Sequence, residues 1–229
     1  MKYPHRETTG QVFLTADLFV DQPPEPVTLA IAPGAVLLRG FALDIDQALL
    51  QAFAEVTASA PLRHFVTPGG YTMSVAMTNC GPLGWVSDRR GYRYQPYDPM
   101  SDAPWPVMPV AWHGLAVRAA EEAGYAGFQP DACLVNSYEA GAKLSLHQDK
   151  DEKDLGAPIV SVSLGLPAVF QFGTALRSVR PQRLRLAHGD VVVWGGPSRL
   201  AFHGIAPLAA GKHPLTGRRR INLTFRNVT

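Results

Sequence analysis

Three residues in this chain have the types and the spacing to hold a metal ion together. His147 and Asp149 stand two apart in His147-Gln148-Asp149, and His203 follows 56 residues after His147 in Leu-Ala-Phe-His-Gly. In an extended segment, side chains at i and i+2 point the same way, so His147 and Asp149 can bind one ion jointly. Two imidazoles and a carboxylate on one face of an iron(II) ion leave the opposite face open for a cosubstrate and dioxygen. The rival reading is a surface histidine, a solvated aspartate and an unrelated histidine, and spacing alone does not decide. A second H-x-D, His188-Gly189-Asp190, is rejected. Its central glycine and the following Val191-Val192-Val193-Trp194 mark a turn entering a buried strand, with the aspartate capping the turn. His5, His64, His113 and His213 have no partner at useful spacing and read as surface or packing residues.

Near the C-terminus, Arg220-Ile221-Asn222-Leu223-Thr224-Phe225-Arg226 alternates strictly. Arg220, Asn222, Thr224 and Arg226 share one face; Ile221, Leu223 and Phe225 share the other and are expected in the core between sheets. The polar face fits either solvent or a buried dicarboxylate, because a guanidinium binds a carboxylate with two parallel hydrogen bonds. Asn136 and Tyr138 repeat the i, i+2 spacing just ahead of the metal motif, where an amide and a phenol can complete such a pocket or serve as satisfied core groups.

The elements that must carry these residues are mostly strands. After Gln129 the expected strands are Ala132 to Tyr138, Leu144 to Gln148, Ile159 to Leu164, Val169 to Phe172, Arg183 to Leu186, Asp190 to Trp194, Leu200 to His203 and Ile221 to Arg226. Short strands with frequent turn signals argue a sandwich or a double-stranded β-helix, mainly β with flanking helices. Upstream, Val36-Leu37-Leu38 predicts a short strand. Asp44 is expected to cap a helix with Ile45, Ala48, Leu49, Ala52 and Val56 at helical spacing, and a second helix is expected from Pro109 to Gly124. Pro61 to Pro109 is rich in Gly, Pro and aromatics and shows little periodicity beyond Tyr71 to Thr78, which reads as long loops covering a site. The expected organisation is an N-terminal arm over 1–33, helices and a recognition lid over 34–129, and a catalytic core over 130–229.

With 46% hydrophobic and 17% charged residues, the 229-residue chain is a folded protein with one sizeable core. It has no apolar run long enough to span a membrane, and Met1 to Glu7 lacks a secretory core. Cys80 and Cys133 suit buried thiols in a reducing cytoplasm. The net charge of +2 neither demands nor excludes nucleic acid. Arginines nevertheless cluster at Arg89, Arg90 and Arg93, at Arg177, Arg180, Arg183 and Arg185, and at Arg218 to Arg220, which suits phosphate contact as well as a solvated surface.

Taken together, Asn136, Tyr138, Gly141, His147, Asp149, Asp151, Glu152, His203 and Arg220-x-Asn222-x-x-x-Arg226 resemble the AlkB family of iron(II)/2-oxoglutarate nucleic-acid demethylases, closest to its bacterial members. Val66 to Gly81 and Gly141 to Glu152 are the most similar stretches, and the likeness runs from about Pro33 to Arg226. It implies a double-stranded β-helix (jelly-roll) core in which His147, Asp149 and His203 ligate Fe(II) and act in catalysis. Arg220 and Arg226 would pair with the carboxylates of 2-oxoglutarate, helped by Asn136, Tyr138 and Asn222. Trp85 would stack on an extruded base opposite His147. Tyr92, Thr67 and Tyr71 would belong to the lid, with Asp151 near the exocyclic amine of the base and Arg177 at the substrate rim.

The implied reaction is oxidation of an N-methyl group on 1-methyladenine or 3-methylcytosine, using O2 and 2-oxoglutarate and releasing formaldehyde, succinate and CO2. The implied substrate is alkylated single- or double-stranded DNA, with RNA as a second candidate, for a monomer acting in the cytoplasm without a membrane partner. Two departures stand out: Ala140 replaces the family's usual proline before Gly141, and about 20 N-terminal residues have no counterpart. Two other readings stay open at this point, a hydroxylase of tRNA or protein and a non-catalytic cupin-like metal-binding module.

Overall fold

The computed structural model describes residues 27–229. The chain opens with β1 (Val27–Ala32), β2 (Ala35–Arg39), α1 (Asp46–Ser59), β3 (Arg63–Val66), β4 (Thr72–Cys80), β5 (Gly84–Asp88), β6 (Gly91–Gln95) and α2 (Val110–Glu122). It continues through β7 (Ala132–Tyr138), β8 (Leu144–His147), β9 (Ile159–Gly165), β10 (Ala168–Phe172), β11 (Gln182–Leu186), β12 (Val191–Trp194), β13 (His203–Ile205) and β14 (Arg220–Arg226). One antiparallel sheet has the order β1-β2-β12-β9-β14-β7-β4-β3; a smaller one runs β11-β10-β13-β8, and β5 and β6 form a separate hairpin.

Three layers follow from which face of the large sheet is apolar. On one side Leu38, Val135, Val162, Leu223 and Phe225 pack with Leu49, Phe53, Trp112 and Leu115 of the two helices. On the other, Leu37, Met77, Val192 and Trp194 pack with Phe170, Phe172, Leu186 and Ile205 of the small sheet. The two sheets make the jelly roll, and the helices cover its outer face.

This layering reverses one expectation. Ile221, Leu223 and Phe225 do not lie between the sheets; they lie under the helices, with Phe225 edge-on to Trp112 at 6.5 Å. The polar face of β14 is the one that looks between the sheets. Alternation fixes which residues share a face, but not which layer that face meets.

Other expectations change as well. Residues 1–26 lie outside the described residues, but 27–32 of the expected arm form β1, paired with β2 in the large sheet. The boundary expected at 129/130 falls within a continuous sheet, since β4 pairs β7 from Ala76↔Ser137 to Cys80↔Cys133. Asp44 sits in a 3-10 turn (Leu43–Ile45) and lies near Arg118 at 3.5 Å; the helix proper starts at Asp46 without a side-chain cap. In place of the expected long loops, Pro61 to Pro109 holds four strands; β4, nine residues long, covers most of the Tyr71 to Thr78 periodicity, while β3, β5 and β6 have four or five residues each between turns.

Candidate metal centre and its cavity

His147 ends β8 and His203 opens β13, and the two are direct cross-strand partners with ring centroids 4.4 Å apart. The expected strand Leu200 to His203 instead begins at His203. Gly204 explains the close pairing, since a Cβ there would fall 2.6 Å from the Leu144 carbonyl oxygen. Asp149, two residues past β8, completes the group, and one ligand atom from each of the three lies within 4.8 Å of the others.

The tautomers suit a cation. His147 Nδ1 lies 2.8 Å from the Ser145 carbonyl and His203 Nδ1 lies 3.0 Å from the Ala201 carbonyl. A carbonyl only accepts, so each Nδ1 donates and each Nε2 keeps its lone pair. Those Nε2 atoms face the two Asp149 oxygens at 3.5 and 3.7 Å. Burial and the neighbouring His147 push His203 down to about 4, which leaves it neutral at pH 7. Burial works against the Asp149 charge, yet the Arg226 guanidinium holds its carboxyl well below the usual range. Neutral imidazoles and an ionised carboxylate are the forms that ligate a divalent ion.

The cavity over this group measures about 800 Å³ and runs between the sheets. Arg220, Asn222, Thr224 and Arg226 line its large-sheet wall together with Asn136 and Tyr138. Arg220 is 1% exposed and stacks 5.0 Å over the Tyr138 ring. One of its nitrogens bonds Ser163 Oγ at 2.9 Å, but Nε and Nη1 have no partner among the described residues. A buried guanidinium with two unmet donors is costly unless an anion completes it, so this end of the cavity fits a carboxylate. Arg226 differs: it already donates to Asp149 Oδ2 through Nε at 3.0 Å and reaches Glu152 at 3.2 Å. Asn222 acts as a tie, accepting from Asn136 Nδ2 and Thr224 Oγ1 and donating to Ser161 Oγ and Val162 O.

The β5–β6 hairpin stands at the cavity mouth. Its turn is tightened by Asp88, which accepts from the Arg90 amide and pairs with Arg93, and its ring pair, Trp85 on Tyr92, is stacked at 5.5 Å and 15°. Trp85 Nε1 donates to Asp151 at 3.0 Å. Thr67, Tyr71, Trp85, Tyr92, Asp151 and Arg177 all line the same cavity as His147, with Tyr71 77% exposed at the rim. Every sequence-predicted site residue is therefore gathered around one space.

Sequence reasoning gave no role to Tyr94, Glu152 and Arg199. Tyr94 Oη donates to the buried Glu152 at 2.7 Å, and Arg199 joins the same carboxylate at 3.1 Å while bonding the Asp149 carbonyl. No local pattern marks such a junction, since its members come from β6, a loop and a 3-10 turn. The rejected His188 is held elsewhere, with Nδ1 accepting from the Gly165 amide and Nε2 at 2.9 Å from Asp46; Asp190 caps its turn through the Ala187 amide.

Comparison with known proteins agrees with this geometry. The sequence model of the 2OG-Fe(II) oxygenase superfamily matches residues 34–226. The chain is 62% identical over 212 residues to the alpha-ketoglutarate-dependent dioxygenase AlkB of Salmonella typhimurium, covering 92% of this chain and 96% of that one. It is 30% identical over 229 residues to the Arabidopsis thaliana DNA N(6)-methyladenine demethylase ALKBH1D, covering 86% of this chain and 50% of the other. The solved structure of OsALKBH1 superposes with a TM-score of 0.77 at 30% identity, covering 88% of this chain and all of that one. With a His–Asp–His group half-buried in the cavity, an anion-seeking arginine lining the same space and these likenesses over most of the chain, the chain belongs to the 2OG-Fe(II) oxygenase superfamily and, within it, to the AlkB family of dioxygenases.

Proposed function

We propose that this enzyme demethylates N-alkylated bases, 1-methyladenine and 3-methylcytosine, in DNA, a direct reversal of alkylation damage. The observation that carries this reading is the placing of the His147–Asp149–His203 group at the floor of a cavity whose mouth is an aromatic hairpin. His147, Asp149 and His203 hold the iron. Arg220, with its unmet Nε and Nη1, takes one carboxylate of 2-oxoglutarate over the Tyr138 ring, and Asn136 and Asn222 shape that end. Arg226 keeps Asp149 ionised and oriented at the inner end, beside the second carboxylate. Bound iron would let O2 and 2-oxoglutarate supply the oxidation, one oxygen atom going to the N-methyl carbon and the other to succinate as CO2 is lost, after which the hydroxymethyl group leaves as formaldehyde.

The chain itself selects and positions. A base within a duplex cannot reach the floor of this cavity, so the nucleotide is extruded or already single-stranded, and a methyl on the pairing edge lowers the cost of extrusion. Trp85 offers a stacking face opposite His147, worth roughly 1–3 kcal/mol on the scale of bases on aromatic platforms. The alkylated bases carry positive charge. Asp151, already beside Trp85 Nε1, favours them over their neutral parents, as does attraction to the indole face. Tyr71, Thr67 and Arg177 hold the flanking strand at the rim. Two buried free thiols, Cys80 and Cys133, suit work in a reducing cytoplasm, and a cavity lined by one chain suits action as a monomer.

Formaldehyde release from a methylated single-stranded oligodeoxynucleotide tests the reading. Release that depends on 2-oxoglutarate and Fe(II) is expected, with less from the matching RNA. Turnover confined to a methylated tRNA or a peptide overturns it.

A further inference from the structure

Arg177, Arg180, Arg183 and Arg185 form a run whose role is not exhausted by the cavity. Arg177 lies 5.4 Å over the Phe202 ring and lines the cavity rim. The chain then passes Arg180 and enters β11, the outermost strand of the small sheet. There Leu184 and Leu186 turn toward the core while Arg183 and Arg185 are exposed on the opposite face. Side chains two apart on a strand stand about 6.6–6.8 Å from each other, so the charges form a row leading away from the cavity mouth.

The row lacks counterions. Elsewhere Arg63, Arg90, Arg93 and Arg199 lie against carboxylates. None of the four arginines of the row has an ion pair or a side-chain hydrogen bond among the described residues. Unpartnered like charges on one strand repel, which does nothing for the fold. Charge on an edge strand can serve to block pairing with other chains. Here part of that edge is already occupied: Arg39 Nη1 donates to the Arg185 carbonyl at 2.7 Å, and the Gln182 side chain donates through Nε2 to the Ile31 carbonyl at 2.8 Å.

We propose that Arg180, Arg183 and Arg185 extend the rim arginine into a track for the phosphodiester backbone of the strand flanking the base in the cavity. The inference rests on the reading of that cavity as a nucleobase site. It assigns these residues a task separate from chemistry: retaining a long strand while successive nucleotides are presented to the mouth.

The test compares unmodified single-stranded oligonucleotides of 5 and 20 nucleotides by fluorescence anisotropy across a salt series, with the full-length protein and R183Q/R185Q. The parent is expected to bind the 20-mer more tightly. The double variant should lose several-fold of that affinity and flatten the plot of log K against log salt by roughly 0.7 for each lost phosphate contact. Formaldehyde release from a methylated 5-mer should stay at the parental rate. R180Q, in the loop outside the sheet, gives an independent reading and should flatten the plot by about half as much. R218Q/R219Q removes the same charge from another exposed site; flattening equal to that of R183Q/R185Q overturns the track, as does an unchanged slope in R183Q/R185Q. Failure of the parent to release formaldehyde from any methylated oligonucleotide removes the cavity reading instead, while the length-dependent binding is scored independently.

Discussion

At the scale of single residues, the proposed function assigns the ion to His147, Asp149 and His203 and the cosubstrate to Arg220. H147A, D149A and H203A each are expected to abolish Fe(II) uptake, measured by anaerobic calorimetry, and with it all turnover. D149A still leaves Arg226 paired with Glu152, so the metal-free variant should unfold cooperatively near the parental temperature. Arg220 behaves differently because its free donors face the cavity. R220A is expected to raise the 2-oxoglutarate requirement by roughly 10- to 150-fold, the loss of a charge-assisted bond of about 1.5–3 kcal/mol, with Fe(II) affinity retained. An unchanged KM for 2-oxoglutarate in R220A would remove its assigned role. The ligand set was legible as an i, i+2 pair and a distant histidine, and both arginines from the strict alternation of Arg220 to Arg226. The different duties of Arg220 and Arg226 were not, because the partners that occupy Arg226 come from a loop remote in sequence.

At the scale of elements, the β5–β6 hairpin lines the cavity and, on the proposed reading, meets the base. W85A removes both the stacking face and the donor to Asp151, and the ratio of turnover on methylated cation to neutral methylated base should fall by about 10-fold or more, read from competing oligonucleotides. A preserved ratio would sink the stacking account. Behind the hairpin, Asp98 is buried and bridged by Arg63, tying β3 to the segment that carries Trp105. Burial opposes that carboxylate, but Arg63 and the Met100 amide hold its ionisation below the ordinary value. A depressed folded-state value means the stabilisation is fully present above the unfolded-state pKa of about 3.9 and is lost as pH falls through the folded value. D98N should therefore be less stable than the parent at pH 7, with the gap narrowing as pH drops below 4 in denaturant titrations. Nothing in the sequence pairs Arg63 with Asp98, 35 positions apart, and of the four strands around them only β4 showed, through the Tyr71 to Thr78 periodicity, while Gly and Pro turns hid β3, β5 and β6. The strands after Gln129 were readable because apolar or strictly alternating runs such as Ile159 to Leu164, Val191 to Trp194 and Arg220 to Arg226 mark them.

At the scale of the whole molecule, β14 divides the labour of fold and site. One face supplies Ile221, Leu223 and Phe225 to the helices, and the other supplies the polar wall of the cavity. W112A, which empties the helix side, should cost about 3–5 kcal/mol and lower Tm by roughly 6–20 °C in a chain of this size. Formaldehyde release at low temperature should survive, because the indole touches no group of the metal site. Equal loss of both would mean that the helices shape the cavity directly.

Each ligating imidazole is steered by the carbonyl two positions before it, His147 by Ser145 and His203 by Ala201. The bite on the ion is thus written into short stretches of main chain and does not depend on the identity of the surrounding walls. Met77 and Leu134 can be exchanged to admit differently shaped cargo without retuning the chelate. An architecture of that kind lets a lineage wander among targets while its oxidative engine stays fixed.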